Sequence, residues 1–315
     1  MIIVKVGCKG LIALGSMLVT VFLLTGCYGK SASSYINFEQ PVPLPTIAAE
    51  EEIAQRPILI ALATVLSPHE TINYYRQIAA HVSQKTGRPA VLIQRKTYEE
   101  VNILLANGDV DIAFMSTGAY SSYRGMSEIE LLVMAEYEGT ILYNAEIIVH
   151  RDSEFTQIGD LQGKIFAFTD PLSYSGHMVI EDYLRKKRTL PELYFKRYFY
   201  TYSHDKSLWA VANRVADGAS LDSQILDYAR VKNPELLEKV RIIATIGPAP
   251  TGPIAIKKQM NPELKEQLRQ IFLHMNEDAA TNTALKKLII HRFVNPSPAL
   301  YEPLQKLYDR SGVTL

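Results

Sequence analysis

From Pro57 onward the chain alternates short apolar runs with longer amphipathic segments, and this alternation restricts the possible folds most. "PILIALAT" (57–64) has the length of a strand, and "HETINYYRQIAAHVSQKTG" (69–87) carries apolar residues at helical spacing. "AVLIQRK" and "VDIAFMS" are again strand-like, with the helical "YEEVNILLANG" between them. Apolar runs without a polar face belong to strands covered on both sides, and helices supply that cover. The expectation is an α/β fold of mostly parallel strands joined by right-handed βαβ units. Gly87 and Gly108 follow the last periodic residues of the two helices and suit their C-terminal stops.

The outline then repeats. "GKIFAFTD" reads as a strand, "SGHMVIEDYLRKKR" as a helix, "ELYFKRYFYT" as a strand and "DKSLWAVANRVADG" as a helix leading into "ASLDS". "LLANGDVDIAFMST" (104–117) overlays "AVANRVADGASLDS" (210–223), which places Ser116 and Asp222 at equivalent strand ends. With 315 residues there is chain enough for two lobes, each a mostly parallel sheet flanked by helices. Two apolar stretches, Ile141–His150 and "PIAIKK", are read as strands crossing between them. The expected division is 57–147 plus 252–315 for the first lobe and 148–251 for the second. Asn261 and Pro262 suit the N-cap and first position of a late helix. Trp209 and the aromatic "LYFKRYFYTY" are expected in core and sheet, and "RKKR" (185–188) at a helix end, where cations complement the dipole. Lobes joined twice can close on a ligand by hinge motion, at the carboxyl ends of the strands.

The N-terminus has a different character. Lys5 and Lys9 precede "LIALGSMLVTVFLLTGC", a basic start and apolar centre in the layout of an export signal. The run is marginally short for a spanning helix. "LLTGC" resembles a bacterial lipobox, so residues 1–26 are expected to be a lipoprotein signal peptide and Cys27 the lipidated first residue after cleavage. Several acyl chains on Cys27 would anchor the protein stably to a bacterial membrane. The only other cysteine, Cys8, would be discarded. Residues 27–56, rich in Ser, Pro, Ala and Glu, read as a flexible tether.

Charge and motifs exclude several functions. Lysine plus arginine equals aspartate plus glutamate, 33 each, so no net field attracts nucleic acid. There is no G-x-S-x-G elbow, no G-x-G-x-x-G, and "GDLQGK" is one residue short of a phosphate-binding P-loop. "HETIN" lacks the second histidine of a zinc helix. Ser175, His204 and Asp222 can be assembled on paper into a triad, as some Ser, His and Asp can in any chain of this size. The reading is a protein without catalytic residues, metal or cofactor.

What remains is anion binding. In "FAFTDPLSYSGHM" (166–178) a strand stops at Asp170-Pro171 and hands over to a helix through Ser173, Tyr174, Ser175 and Gly176. The first N–H groups of a helix have no partner one turn back and lie at the positive end of its dipole, which suits an oxyanion. Ser173 and Ser175 add hydroxyl donors, and Gly176 is expected to let a ligand approach the backbone. "MSTGAY" (115–120) repeats the arrangement in the first half with Ser116, Thr117 and Gly118.

With these segments, and with "LYNAEIIVHRDS", "DLQGK", "SHDKSLWAVANRVADGASLDS" and the ending "LYEPLQKLYDRSG", the chain resembles the phosphate, phosphite and phosphonate-binding proteins of ABC transporters. The resemblance runs from about Pro57 to the C-terminus and implies a type II periplasmic binding-protein fold. It implies a monomer that captures a phosphorus oxyanion and delivers it to an ABC permease and ATPase. It also implies roles: Ser173 and Ser175 hold the anion's oxygens, Tyr98 and Tyr143 line the cleft, and His204 donates to the anion. Ser116 and Thr117 supply the first lobe's donors, and Asp222 meets a ligand's ammonium or its P–OH proton. Tyr174 stands where the family often has a small hydroxyl residue, and either narrows the pocket or swings outward. Another small ligand, such as a sulfonate or a thiamine precursor, and a sensing role without a permease are the competing readings.

Overall fold

The computed structural model describes residues 56–311 apart from 64 and 124–127. The expected signal peptide, Cys27 and all of the tether but Arg56 lie outside the described residues. In chain order the first elements are β1 (Ile58–Leu62), α1 (Pro68–Thr86), β2 (Ala90–Gln94), α2 (Tyr98–Ala106), β3 (Ile112–Phe114), α3 (Thr117–Ser122) and β4 (Ile129–Glu136). Then come β5 (Leu142–His150), β6 (Ile165–Phe168), a π-helical turn (Tyr174–Met178) running into α4 (Val179–Lys186), β7 (Arg197–Tyr200) and α5 (His204–Ala212). They are followed by β8 (Gly218–Asp222), α6 (Ser223–Lys232) and β9 (Val240–Pro250). The chain continues through β10 (Pro253–Lys257), α7 (Pro262–Leu273), α8 (Ala279–Lys287), β11 (Arg292–Val294) and α9 (Glu302–Ser311).

The strands form two sheets, of order β11-β4-β10-β3-β1-β2 and β7-β6-β8-β5-β9. The expectation of mostly parallel strands needs correction, because among the described residues only β1 with its neighbours β2 and β3, and β6 with β7 and β8, pair in parallel. β10 returns from the other sheet and runs antiparallel to both β3 and β4, as β5 does to β8 and β9. The expected lobe boundary after residue 147 falls inside β5, all of which belongs to the five-stranded sheet. The chain passes between the sheets through 137–141 and again through 251–252, so neither apolar stretch is itself a crossing strand. β9, to which the sequence reading assigned no strand, is an edge strand. That position tolerates Pro248 and Pro250, since a missing N–H there breaks no inner ladder.

Alternation along the strands sorts bulk by face. Ile60, Ile112 and Ile254 join Ile78 and Val82 of α1 and Leu268 and Phe272 of α7 in one core. Their neighbours Ala61, Ala113 and Ala255 face Tyr98, Val101 and Leu105 of α2, where small residues let the helix sit close. In the second sheet Phe166 and Phe168 pack with Met178 and the α4 residues Ile180 and Leu184, while Ala167 and Ala219 face Leu208 and Val211 of α5. Each fully buried Ile, Leu or Phe contributes about 1.5–3 kcal/mol. Trp209 departs from expectation: it is half exposed, because Leu208 and Val211 hold the inward face of α5. The equivalence drawn between Ser116 and Asp222 holds in space, as each is the N-cap of the helix that follows its strand, β3 or β8.

Candidate functional site

Three strand-to-helix turns converge at the carboxyl ends of the sheets, and each is closed by a polar cap. Ser116 Oγ accepts the Ala119 N–H at 3.1 Å, Ser173 Oγ accepts that of Gly176 at 3.0 Å, and Asp222 Oδ1 accepts that of Gln224 at 2.8 Å. A fourth element, α2, begins at Tyr98 behind a Thr97–Glu100 capping box. Between them lies a cavity of about 120 Å³. Its wall includes Tyr98, Ser116, Thr117 and Tyr143 with Ser173, Tyr174, Ser175, His204 and Asp222, so the residues singled out in the sequence meet in one place. Among the described residues, no lysine or arginine lines it.

The hydrogen bonds decide what each group has left to offer. A serine that accepts through its oxygen still carries a hydrogen to donate, which is the state of Ser116 and Ser173. Thr117 differs: its hydroxyl donates to the Pro250 carbonyl at 2.7 Å, so toward the cavity it keeps only lone pairs and its N–H. Burial, then Asp222, raises the Tyr143 pKa well above the ordinary phenol value, and the Thr117 and Ser175 hydroxyls oppose that rise. Tyr98 is fully buried, and its hydroxyl has no hydrogen-bond partner among the described residues. Burial, then Asp170, raises its pKa too.

His204 and Asp222 are tuned in opposite directions by the same cause. Burial lowers the His204 ring to about 3 and raises the Asp222 carboxyl to about 7. The Asp222 N–H donates to His204 Nδ1 at 3.3 Å, so that nitrogen is an acceptor and the neutral ring carries its hydrogen on Nε2. Thr169 Oγ1, at 3.3 Å from Nδ1 and 3.1 Å from Ser207 Oγ, supports the ring from behind. Asp222 keeps some exposed surface although protein surrounds it, because that surface is cavity wall.

Gly176 departs from its sequence reading, and the structure decides between the two readings of Tyr174. A Cβ on Gly176 would come within 2.4 Å of Thr169 Cβ and 2.9 Å of Ser173 Oγ, so this glycine lets the turn pack on the end of β6 and does not serve ligand access. Tyr174 is buried and meets the Tyr143 ring edge-on at 6.5 Å between centroids, so it narrows the cavity and does not swing outward.

Contacts across the cavity tie the two sheets' elements together. The His204 N–H donates to the Val65 carbonyl at 3.0 Å, and Asp205 accepts from Ser67 N and Oγ at 3.0 and 2.5 Å. Asp170 Oδ2 accepts the Tyr98 N–H at 3.2 Å, at the N-terminus of α2, and Lys96 Nζ sits 4.4 Å above the Tyr202 ring. Burial holds Asp170 at about 6 even though the Leu172 and Tyr98 N–H groups oppose that rise. In the sequence Asp170 marks only the place where a strand stops. Its partner lies 72 positions away, beyond any local signal, and the same is true of Asp205. Gln224, also on the cavity wall, carried no sequence signal.

A family model described as the periplasmic substrate-binding protein of phosphonate ABC transporters matches residues 60–301. The phosphonates-binding periplasmic protein of Escherichia coli K12 is 26% identical over 174 residues, 54% of this chain and 51% of its own length. The chain thus spans about half the length of that curated relative. Among solved structures, a binding protein component of an ABC phosphonate transporter from Pseudomonas aeruginosa superposes with a TM-score of 0.75 at 22% identity, covering 82% of this chain and 88% of its own. PhnD1 from Prochlorococcus marinus, in complex with methylphosphonate, has a TM-score of 0.74 at 13% identity, covering 81% and 98%. At these identities the structures share the fold, that of the type II periplasmic binding proteins.

Proposed function

Because the chain belongs to the family of periplasmic substrate-binding proteins of phosphonate ABC transporters, we propose that it captures a small phosphorus oxyanion in this cavity and presents it to an ABC permease and ATPase. The observation that carries the reading is the wall itself: neutral donors from both sheets around a small space with no cation. The Ser173 and Ser175 hydroxyls and the N–H groups of the turn between them take the anion's oxygens. His204 Nε2–H, the Tyr98 hydroxyl, the Ser116 hydroxyl and the Thr117 N–H complete the shell, and Tyr143 and Tyr174 limit its size. Charge-assisted hydrogen bonds contribute about 1.5–3 kcal/mol each. A handful, less the ordering costs, suffices for roughly micromolar binding, about −8 kcal/mol. The lobes are the two sheets with their helices, closing through the 137–141 and 251–252 connections. A thermal-shift screen of phosphate, phosphite, methylphosphonate, sulfate and methanesulfonate tests the class. Stabilisation by a phosphorus oxyanion supports it, and response to none of them overturns it.

Asp222 accepts a hydrogen bond from a ligand P–OH group. The sign of the pH dependence follows. Folding raises this carboxyl above its ordinary 3.8, so its contribution to stability is present below about 4 and is lost as pH rises through about 7. The ligand-free protein therefore melts at lower temperature at pH 8 than at pH 5, and Asp222→Asn flattens the part of that fall that lies between about pH 5 and 7. Above about pH 8, where carboxyl and phosphonate are both ionised, binding takes up one proton and affinity drops about tenfold per pH unit. Calorimetry on Asp222→Asn should show that drop abolished; a slope as steep as wild type removes the role.

Cys27, as a lipid-bearing residue after cleavage of 1–26, would tether the exported domain to the membrane through 27–56. Cys27→Ser then moves the protein from the membrane fraction to the soluble exported fraction. An unchanged distribution rules the anchor out.

A further inference from the structure

Gln224 stands in the first turn of α6, two residues past the Asp222 cap, and its side chain lines the cavity. Its amide nitrogen, Nε2, is buried and has no hydrogen-bond partner among the described residues, the same condition as the Tyr98 hydroxyl on that wall. A buried donor left unpaired costs about 1–3 kcal/mol, so such a group in a folded chain calls for an explanation. Two of them on residues that line one small cavity point to a bound acceptor.

The rest of the wall says what that acceptor belongs to. Leu66, Ile225 and Ile289, buried in a single apolar cluster, line the same space, with Val65 beside them. Asp222 is the one carboxylic acid on the wall among the described residues. An ammonium group placed here would shed its water against aliphatic side chains and meet an N–H donor where it needs an acceptor. A methyl group or a hydrogen on phosphorus suits the aliphatic wall, and the anion's oxygens satisfy the two donors. The volume of about 120 Å³ lies well below the roughly 300–1,000 Å³ of pockets for drug-sized ligands.

Resting on the reading that this cavity takes a phosphorus oxyanion, we propose that Gln224 donates through Nε2 to an oxygen of that anion and makes the site selective for a phosphonate with a small apolar substituent over an aminoalkylphosphonate. Gln224 is in this sense a specificity residue, acting beside Tyr98.

The test is calorimetry on the purified protein with methylphosphonate and 2-aminoethylphosphonate, alongside melting temperatures without ligand. The wild type binds methylphosphonate at least about tenfold tighter than 2-aminoethylphosphonate. Gln224→Leu, which keeps the volume and removes the amide, weakens methylphosphonate by about tenfold or more. Its ligand-free melting temperature is unchanged or higher, because a buried unpaired donor has gone; a purely structural amide would lower it. Gln224→Glu, which puts a carboxylate against the anion, loses methylphosphonate by a larger factor. Undiminished methylphosphonate binding by Gln224→Leu, or tighter 2-aminoethylphosphonate binding by Gln224→Glu, overturns the inference while leaving the proposed function standing. A wild type that binds no phosphorus oxyanion overturns both.

Discussion

Replacing Ser173 and Ser175 together by alanine is expected to weaken methylphosphonate binding between about a hundredfold and ten-thousandfold. Both hydroxyls are buried, and both line the cavity. Each hydrogen bond from such a donor to an anion is worth about 1.5–3 kcal/mol, and about 1.4 kcal/mol is a factor of ten in affinity. The double variant also loses a helix cap, because Ser173 Oγ accepts the Gly176 N–H. That loss costs about 1 kcal/mol of stability. Ser175→Ala alone leaves the cap in place, so it separates the two effects: affinity falls while melting barely changes. Calorimetry and thermal unfolding on both variants check this. Near-normal affinity in the double variant would remove the helix start from the binding site.

Gly118→Ala is expected to be nearly as damaging, although it removes no polar group. A Cβ at this position would lie 1.9 Å from the Leu172 carbonyl, 2.2 Å from the Tyr308 hydroxyl and 2.6 Å from the Tyr174 nitrogen. Two of these are backbone atoms, which cannot rotate aside. Leu172 is held further by the Tyr308 hydroxyl, which donates to its carbonyl at 2.9 Å, and by its own N–H on Asp170 Oδ1 at 2.9 Å. The added methyl group therefore pushes α3 away from the loop that presents Ser173 and Ser175. Overpacking of this kind costs about 1–3 kcal/mol or more. The two sheet cores do not include residue 118, so the fold persists and the loss appears in binding, at about a hundredfold. Retention of full affinity by Gly118→Ala would contradict the close approach of the two halves.

How much of this could be read beforehand depended on whether the governing contact was local. β1, α1, β2, α2 and β3 were legible because their strands are short apolar runs set between amphipathic helices, and because Gly87 and Gly108 adopt the left-handed conformation that ends or follows a helix. The N-caps were legible for the same reason, since a cap bonds an N–H two or three residues ahead. Strand direction was not legible: β10 and β5 run antiparallel to their neighbours only because the chain has come from the other sheet. β9 escaped notice because half-exposed edge residues and two prolines do not resemble a buried run. The end of the first lobe was misplaced because the apolar run of β5 continues unbroken past residue 147.

At the site, residue types announced where hydroxyls gather but not which of their hydrogens are free. Thr117 resembles Ser116 in sequence, yet the Pro250 carbonyl, 133 positions away, accepts its hydroxyl hydrogen bond. Gln224 resembles any helical glutamine until its nitrogen is found buried and unpaired on the cavity wall. Tyr174, the departure from the family pattern, is resolved by packing, since the Tyr143 ring edge-on to it fixes it inward.

The central claim is that the cavity selects a phosphorus oxyanion able to share a proton with Asp222. Comparing methylphosphonate with methanesulfonate by calorimetry near pH 8 tests it most directly, because the two have the same shape, Asp222 is ionised there and the sulfonate brings no proton to share. The account predicts micromolar or tighter binding of methylphosphonate and at least about hundredfold weaker binding of methanesulfonate, the usual penalty when a buried polar group loses its partner. Equal affinity for the two, or preference for the sulfonate, would contradict it.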